Sequence, residues 1–157
     1  LEKDFDVTII TQNIDDLHER GGSTKVVHLH GEIFKMHGVN SPQNILDIDA
    51  DIMHGDKAED GSQLRPHIVW FEEAVPMIEE AAGIMQTADI FVLIGTSLQV
   101  YPAAGLIDVV PHKTPKYIID KKIPAVSHYN NIIRIEKSAT EGVAELKKIL
   151  TPEGISP

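Results

Sequence analysis

Short apolar runs, each bounded by glycines or polar residues, recur along this chain. Runs of this kind are typical of buried strands in a parallel sheet. The clearest follows Asp89, where apolar residues continue without a break to Ile94. We predict strands at residues 6–11, 25–29, 89–94, 116–119 and 132–135. The pattern therefore predicts an α/β fold built on a parallel sheet.

Helical periodicity lies between and after these strands. Pro76 suits the first turn of a helix, and the apolar residues after it repeat at the spacing of one helix face. A short helix or turn is predicted at residues 14–20, and helices at 103–110 and 140–150. Thr140 is the predicted N-cap of the last helix. The predicted inward face of that helix comprises Val143, Leu146, Ile149 and Leu150.

Residues 32–67 differ from the rest of the chain, because they are rich in breakers and lack periodicity. Loops of this length inside a compact domain are uncommon unless they are functional or form a module of their own. We therefore predict that residues 32–67 form the remnant of a second, smaller domain.

Polar clusters follow the first two strands. The first strand ends in a cluster rich in amides and carboxylates, and the second ends in His28-Leu29-His30-Gly31. Ligands bind beyond the carboxyl ends of parallel strands, where amides can hold a polar ligand and an imidazole can take a proton. Alternatively, Asn13 and Asp15 only cap the short helix. The first cluster comprises Thr11, Gln12, Asn13, Asp15, Asp16 and His18.

The turn Gly95-Thr96-Ser97 follows the strand at residues 89–94 and precedes a predicted helix. A glycine turn with hydroxyls before a helix N-terminus can bind an anion through backbone N–H groups and the helix dipole. Alternatively, it is an ordinary turn with a serine cap. Its position in the same sheet as the polar clusters favours a nucleotide site.

Composition and charge narrow the function classes. The chain has 157 residues and a net charge of −10, which disfavours nucleic acid or an anionic membrane as its main partner. It contains no cysteine, which excludes disulfides and a thiolate zinc site. His37, His54 and His67 are too dispersed in sequence to indicate a substitute. No apolar run reaches transmembrane length and no secretory signal is present, so we expect a cytoplasmic protein. We also expect a frayed tail at residues 152–157.

Four ordered motifs closely resemble those of the sirtuins, which are NAD-dependent protein deacylases. They cover most of the chain, so chance agreement is improbable. The motifs are Thr11–His18, His28–Glu32, Ile68–Phe71 with Pro76, and Gly95–Leu98 with Val100, Pro102 and Ala103.

The resemblance implies a Rossmann-like parallel sheet with helices on both faces, formed by residues 1–31 and 68–157, beside the module of 32–67. It also implies transfer of the acyl group of an acyl-lysine protein or peptide to ADP-ribose, with release of nicotinamide, by a deacetylase or desuccinylase. His30 matches the histidine that acts as base. Residues matching NAD contacts are Gln12, Asn13, Ile14, Asp15, Gly95, Thr96 and Ser97, and Val69, Trp70 and Phe71 match the edge that pairs with the substrate.

The chain departs from the sirtuin pattern in several places. The zinc-binding cysteines of most sirtuins are missing between Gly31 and Trp70, so we expect a zinc-free variant. Phe71-Glu72-Glu73 replaces the usual Phe-Gly-Glu, and Ile118 stands near the position of an asparagine that contacts the adenosine ribose. Asp120 is the predicted substitute in ribose binding.

The Gly-rich phosphate loop that precedes the first motif in sirtuins does not occur in this sequence. We therefore expect the chain to be the later part of a longer protein, with weak or no activity alone. A strand upstream is then expected between the strands at 6–11 and 89–94.

Two other functions remain open at this stage. One is a non-catalytic module that binds NAD, ADP-ribose or an acyl-peptide. The other is a metal-dependent hydrolase in which His28 and His30, with a carboxylate such as Asp15, hold the metal. Ile68–Phe71 could likewise be an ordinary core strand, with its tryptophan buried.

Overall fold

A computed structural model describes residues 1–151 of the chain, and the tail at 152–157 lies outside the described residues. The contacts divide the chain into two compact units, Glu2–Ile78 and the part from Glu79 onward together with Leu1. The elements are β1 (Ile9–Thr11), α1 (Leu17–Arg20), β2 (Val26–His28), β3 (Gly31–Gly38), β4 (Ser41–Asp47), β5 (Leu64–Ile68), α2 (Ile78–Gln86), β6 (Phe91–Ile94), a 3₁₀ helix (Ala103–Val109), β7 (Lys116–Ile119), β8 (Ile132–Ile135) and α3 (Ala139–Leu150).

The unit from Glu79 onward contains a parallel sheet in the order β6-β7-β8. Its central strand, β7, is buried along its whole length. Ile118 packs on one face of the sheet with Ile107 and Val110 beside the 3₁₀ helix, whereas Ile119 packs on the other face with Leu146 of α3. This arrangement confirms the predicted Rossmann-like α/β fold with helices on both faces.

The helices of this unit correct several details of the prediction. The helix predicted at residues 103–110 is a 3₁₀ helix that spans Ala103–Val109. The N-cap of α3 is Ser138, whose Oγ accepts from the Glu141 N–H and donates to the Glu141 carboxylate. The predicted cap, Thr140, lies inside the helix. Ile149 is 45% exposed, so its predicted inward position is wrong, whereas Leu146 is buried as predicted.

The unit Glu2–Ile78 contains two sheets. In the first, β1 and β2 run parallel, with Thr11 opposite His28. In the second, β4, β3 and β5 are antiparallel in that order. The breaker-rich interval at residues 32–67 therefore holds one complete strand, β4, and most of two others, β3 and β5. The predicted boundary of a small domain at residues 32–67 stays a prediction.

Strands β1 and β6 each lie at an edge of their parallel sheet. Within residues 1–151, β1 pairs only with β2 and β6 only with β7. Either strand could therefore accept a further neighbour, and the expected upstream strand stays a prediction. No helix within the described residues is long and apolar enough to cross a membrane.

Candidate functional site

The pairing of β1 with β2 brings the two predicted polar clusters to the same edge of a sheet. The Leu29 N–H donates to the Thr11 carbonyl oxygen at 2.9 Å, one residue beyond the end of β2. Gln12 follows β1 directly and His30 lies two residues beyond β2, so the two residues lie side by side. Their contact is direct, because Nδ1 of His30 lies 3.0 Å from the carbonyl oxygen of Gln12.

That contact determines which nitrogen of His30 carries a proton. A carbonyl oxygen only accepts hydrogen bonds, so Nδ1 must donate. In the neutral ring, Nε2 then keeps its lone pair. The side chain is only partly buried. His30 therefore presents a proton acceptor whose orientation is set by the main chain after β1.

His28 has a different role. Its Nδ1 lies 3.2 Å from the Asn13 carbonyl oxygen and its Nε2 lies 2.8 Å from Oε1 of Glu19. Burial opposes protonation, but the hydrogen bonds to Glu19 and Asn13 outweigh it and raise the pKa of His28. Both nitrogens therefore act as donors, and the buried ring ties β2 to α1. Sequence reasoning did not find the contact between Glu19 and His28.

The segment after β1 combines a turn with a shallow cleft. Oδ1 of Asp15 accepts from the Leu17 N–H at 3.1 Å, but the N-cap of α1 is Asp16, and the choice between a capping and a ligand-binding role for Asp15 stays a prediction. The Ile14 carbonyl oxygen accepts from the Ile33 N–H at 2.8 Å and ties this segment to β3. A cleft of about 220 Å³ opens beside them. Its lining residues are Ile14, Asp15, Asp16, Glu32, Phe34, Lys35 and Asp47.

Gly31 allows the chain to turn sharply after His30. Its φ is +79°, and a Cβ there would lie 2.1 Å from the His67 carbonyl oxygen, so no side chain fits. This close approach places β5 against the turn. The Val69 N–H donates to the His30 carbonyl oxygen at 2.9 Å.

In the segment Val69–Phe71, beyond the end of β5, Val69 is partly buried and the two aromatic residues are exposed. Trp70 is 56% exposed and Phe71 is 93% exposed. The alternative that this segment is an ordinary core strand with a buried tryptophan is therefore wrong. Large apolar side chains held in solvent beside a strand end are available for contact with another molecule.

An ion pair fixes the turn that follows. Arg65 donates to both carboxylate oxygens of Glu73, at 2.6 and 3.0 Å, and its Nη2 also donates to the Ile68 carbonyl oxygen at 3.0 Å. Oε2 of Glu73 accepts from the Trp70 N–H at 2.9 Å. The hydrogen bonds from Arg65 and from the Trp70 N–H lower the pKa of Glu73 to about 2. Sequence reasoning did not find this pair.

Glu72, at the tip of this turn, has a φ of +73°. Only glycine adopts this region without strain. The position is the one at which the Phe-Gly-Glu pattern has its glycine. This chain therefore holds a positive φ at that position with a glutamate in place of the glycine.

In the unit from Glu79 onward, the other predicted site residues also gather at strand ends. Gly95 follows β6 with a φ of +63°, and its N–H donates to the carbonyl oxygen of Ile119 at 3.0 Å. Asp120 is the residue after Ile119, so both positions lie at one edge of the sheet. Thr96 Oγ1 accepts from the Leu98 N–H at 3.3 Å, and one oxygen of Asp120 accepts from the Lys122 N–H at 2.9 Å.

Two of the histidines judged too dispersed in sequence are neighbours in the structure. Nδ1 of His37 lies 2.9 Å from Nδ1 of His67, and the rings pack edge to face with centroids 5.0 Å apart. The antiparallel pairing of β3 with β5 brings them together. Burial lowers the pKa of both rings. Within residues 1–151 no three His, Asp or Glu side chains are grouped to hold a metal ion.

The sequence is similar to those of known proteins of one family. The model of the Sir2 family matches residues 1–102. An NAD-dependent protein deacylase of Bacteroides thetaiotaomicron is 52% identical to the chain over 159 residues, covering 97% of the chain and 68% of the relative. A protein of the same name from Helicobacter pylori is 44% identical, covering 93% of the chain and 64% of the relative. The chain thus spans about two thirds of the length of these relatives.

Solved structures agree with the sequence relatives. A Sir2 homologue bound to ADP-ribose superposes with a TM-score of 0.77 at 31% identity, over 94% of this chain and 62% of that chain. A Sir2 complex with an inhibitor, 2′-O-acetyl-ADP-ribose and deacetylated p53 peptide superposes with a TM-score of 0.77 at 29% identity, over 99% of this chain and 68% of that chain.

Proposed function

Because this chain belongs to the Sir2 family, we propose that the whole protein is an NAD-dependent protein-lysine deacylase. In this reaction NAD supplies the ADP-ribose group that accepts the acyl group, and nicotinamide is released. The substrates are acylated lysines of proteins or peptides. The relatives named NAD-dependent protein deacylase and the Sir2 complexes with ADP-ribose support the proposal.

The single observation that carries the proposal is the hydrogen bond from Nδ1 of His30 to the Gln12 carbonyl oxygen at 3.0 Å. It holds the ring in the tautomer whose Nε2 can accept a proton. A base in this position can take the proton of a ribose hydroxyl, which makes the oxygen a better nucleophile. We assign this role to His30.

The residues around His30 are proposed to position the dinucleotide. Gln12, Asn13, Ile14 and Asp15 follow β1 directly, where their amides and carboxylate can bind nicotinamide and its ribose. Gly95, Thr96, Ser97 and Asp120 are proposed as further NAD contacts. Gly95 and Asp120 follow neighbouring parallel strands, which is where ligands bind in open α/β sheets.

Val69, Trp70 and Phe71 are proposed to bind the substrate. An extended peptide can add to a strand edge through main-chain hydrogen bonds while its side chains contact exposed apolar groups. The exposure of Trp70 and Phe71 supports this assignment. The hydrogen bond from Val69 to His30 then joins the peptide-binding segment to the base.

The proposal is tested by incubating the full-length protein with NAD and either acetyl- or succinyl-lysine peptides. We expect nicotinamide release that requires the acyl-peptide and yields the free lysine. If NAD binds but no peptide is deacylated, the non-catalytic binding module is the better description. The two acyl groups distinguish a deacetylase from a desuccinylase.

The geometry disfavours a metal-dependent hydrolase that uses His28 and His30. Both nitrogens of His28 contact oxygen acceptors, at 3.2 and 2.8 Å, so neither lone pair is free for a metal. Metal analysis of the purified protein provides the test. Stoichiometric metal that is lost on His30→Ala would contradict the deacylase proposal.

A zinc-free state and a cytoplasmic location stay predictions.

A further inference from the structure

The strained residue Glu72 lies at the tip of the proposed peptide-binding segment. Its φ of +73° is uncommon for any residue other than glycine. Strain of this kind persists only where the surroundings hold it, and it is a reason to look for a function. Glycine would remove the strain, yet the chain has a charged side chain here.

Hydrogen bonds of the residues before and after Glu72 hold this backbone conformation. The Glu73 N–H donates to the Trp70 carbonyl oxygen at 3.1 Å, and the Trp70 N–H donates to the Glu73 carboxylate at 2.9 Å. Arg65 then holds that carboxylate through both of its oxygens. The turn is therefore fixed at its two ends, and the direction of the backbone at Glu72 is fixed with it.

The two carboxylates of the turn differ in charge compensation. Glu73 is neutralised by Arg65, whose guanidinium lies 2.6 Å from it. Glu72 is exposed, and within residues 1–151 its side chain has neither an ion-pair nor a hydrogen-bond partner. The neighbouring residue, Phe71, is 93% exposed. The turn thus presents one uncompensated negative charge directly beside its most exposed apolar side chain.

We propose that Glu72 is a specificity-determining residue, which favours peptides that carry lysine or arginine close to the acyl-lysine. This inference rests on the proposed function, because it needs a peptide to bind along Val69–Phe71. A cationic side chain near the acyl-lysine would meet the free carboxylate, and an acidic one would be repelled. Because Glu72 is exposed, the preference is modest and weakens as salt screens the charges.

The test compares three acyl-lysine peptides that differ in one flanking residue, which is arginine, alanine or glutamate. We expect kcat/KM of the full-length protein to be about 3-fold or more higher for the arginine than for the glutamate peptide at low salt, mainly through KM. Glu72→Gln keeps the size of the side chain and should abolish the preference, and Glu72→Lys should reverse it. Glu59→Gln makes the same charge change at another exposed position of the same unit and should leave the preference intact.

Direct binding of fluorescent versions of the same peptides separates this inference from the proposed activity. Deacylation that proceeds with equal preference in the wild type and Glu72→Gln would overturn the role of Glu72 and leave the activity standing. A binding preference that follows Glu72 without any turnover would support this inference and contradict the deacylase proposal. Equal binding of all three peptides by the wild type would overturn the inference whatever the turnover.

Discussion

The Val69 N–H donates to the carbonyl oxygen of His30 at 2.9 Å, so the proposed base and the proposed peptide-binding segment are held together by one main-chain hydrogen bond. Gly31 makes this contact possible, because it lets the chain pass directly against β5. The positions of the base and of the substrate edge are therefore coupled through the backbone. A change that moves the turn at Gly31 should disturb both.

Gly31→Ala should unfold or severely destabilise the protein. A Cβ at this position would lie 2.1 Å from a backbone oxygen, at a φ of +79°. We expect a loss of more than about 2 kcal/mol in the free energy of unfolding, because strain and a backbone clash add. Chemical denaturation measures it.

Gly61→Ala is the matched control for that change. Gly61 has a φ of +77°, but a Cβ there would meet nothing within 4 Å. Only the strain remains, so we expect a loss of about 1 kcal/mol. Equal losses in the two variants would show that the close approach of Gly31 to His67 does not constrain the fold.

Glu72→Gly should stabilise the protein. Relief of positive φ is worth about 1–2 kcal/mol, whereas the extra freedom of glycine in the unfolded chain costs about 0.5–1 kcal/mol. We therefore expect a net gain of up to about 1.5 kcal/mol in the free energy of unfolding, measured by chemical denaturation. Glu72→Ala removes the carboxylate but keeps the strain, so it should bring no such gain. Equal stability of the two variants would contradict the assignment of strain to this turn.

At position 72 the sequence alone showed that a glutamate replaces the glycine of the Phe-Gly-Glu pattern. Only the structure showed that Glu72 has a positive φ. The strand bounds of β7 and β8 were predicted correctly, because short apolar runs between turn residues are local signals. The bonds from Glu19 to His28 and from His37 to His67 were missed, since they depend on how distant segments meet.

The strands of residues 31–47 show a second limit of the sequence. Gly38 and Pro42 are typical of loops, so the strands that contain them were not predicted. A Cβ at Gly38 would lie 2.6 Å from Ser41 Oγ, so this hairpin requires a glycine there. The N-cap of α3 was missed by two residues for a related reason. Ser138 and Thr140 both suit a cap, and the choice depends on which one meets Glu141.

The histidines should titrate on opposite sides of the ordinary value of 6.5. The pKa of His28 is raised by its hydrogen bonds to Glu19 and Asn13, against the effect of burial, whereas burial lowers the pKa of His37 and His67. NMR titration of the ring resonances measures each residue separately. Titration of His28 below His37 would contradict the hydrogen-bonding arrangement.

Glu19→Gln should destabilise the protein most near pH 6. The raised pKa of His28 gives stability that is complete below 6.5 and is lost as pH rises through its folded pKa. The pKa of Glu19 is lowered, mainly by His28, so its contribution is present above 4.5 and is lost as pH falls through its folded pKa. Because Glu19 is partly exposed, we expect a loss of at most about 1 kcal/mol. Denaturation at pH 6 and pH 9 provides the comparison, with Glu59→Gln as control, and a greater loss at pH 9 would contradict the prediction.

The histidine pair of β3 and β5 should destabilise the protein in mild acid. Both rings have lowered pKa values, so the unfolded chain binds more protons below pH 6.5. The stability that the neutral pair provides is therefore present above 6.5 and is lost as pH falls through the folded pKa values. Replacing both rings, as in His37→Phe with His67→Phe, should reduce the loss between pH 7 and pH 5. An unchanged pH dependence would exclude the pair as its source.

The rate at which His30→Ala converts an acyl-lysine peptide to the free-lysine peptide in the presence of NAD tests the central claim most directly. His30 is proposed to accept the proton of a ribose hydroxyl through Nε2, so its removal should lower kcat/KM for deacylation by about 100-fold or more. His54→Ala, at an exposed position of the same unit, should retain the wild-type rate. A wild-type rate in folded His30→Ala would contradict the assignment of His30 as the base.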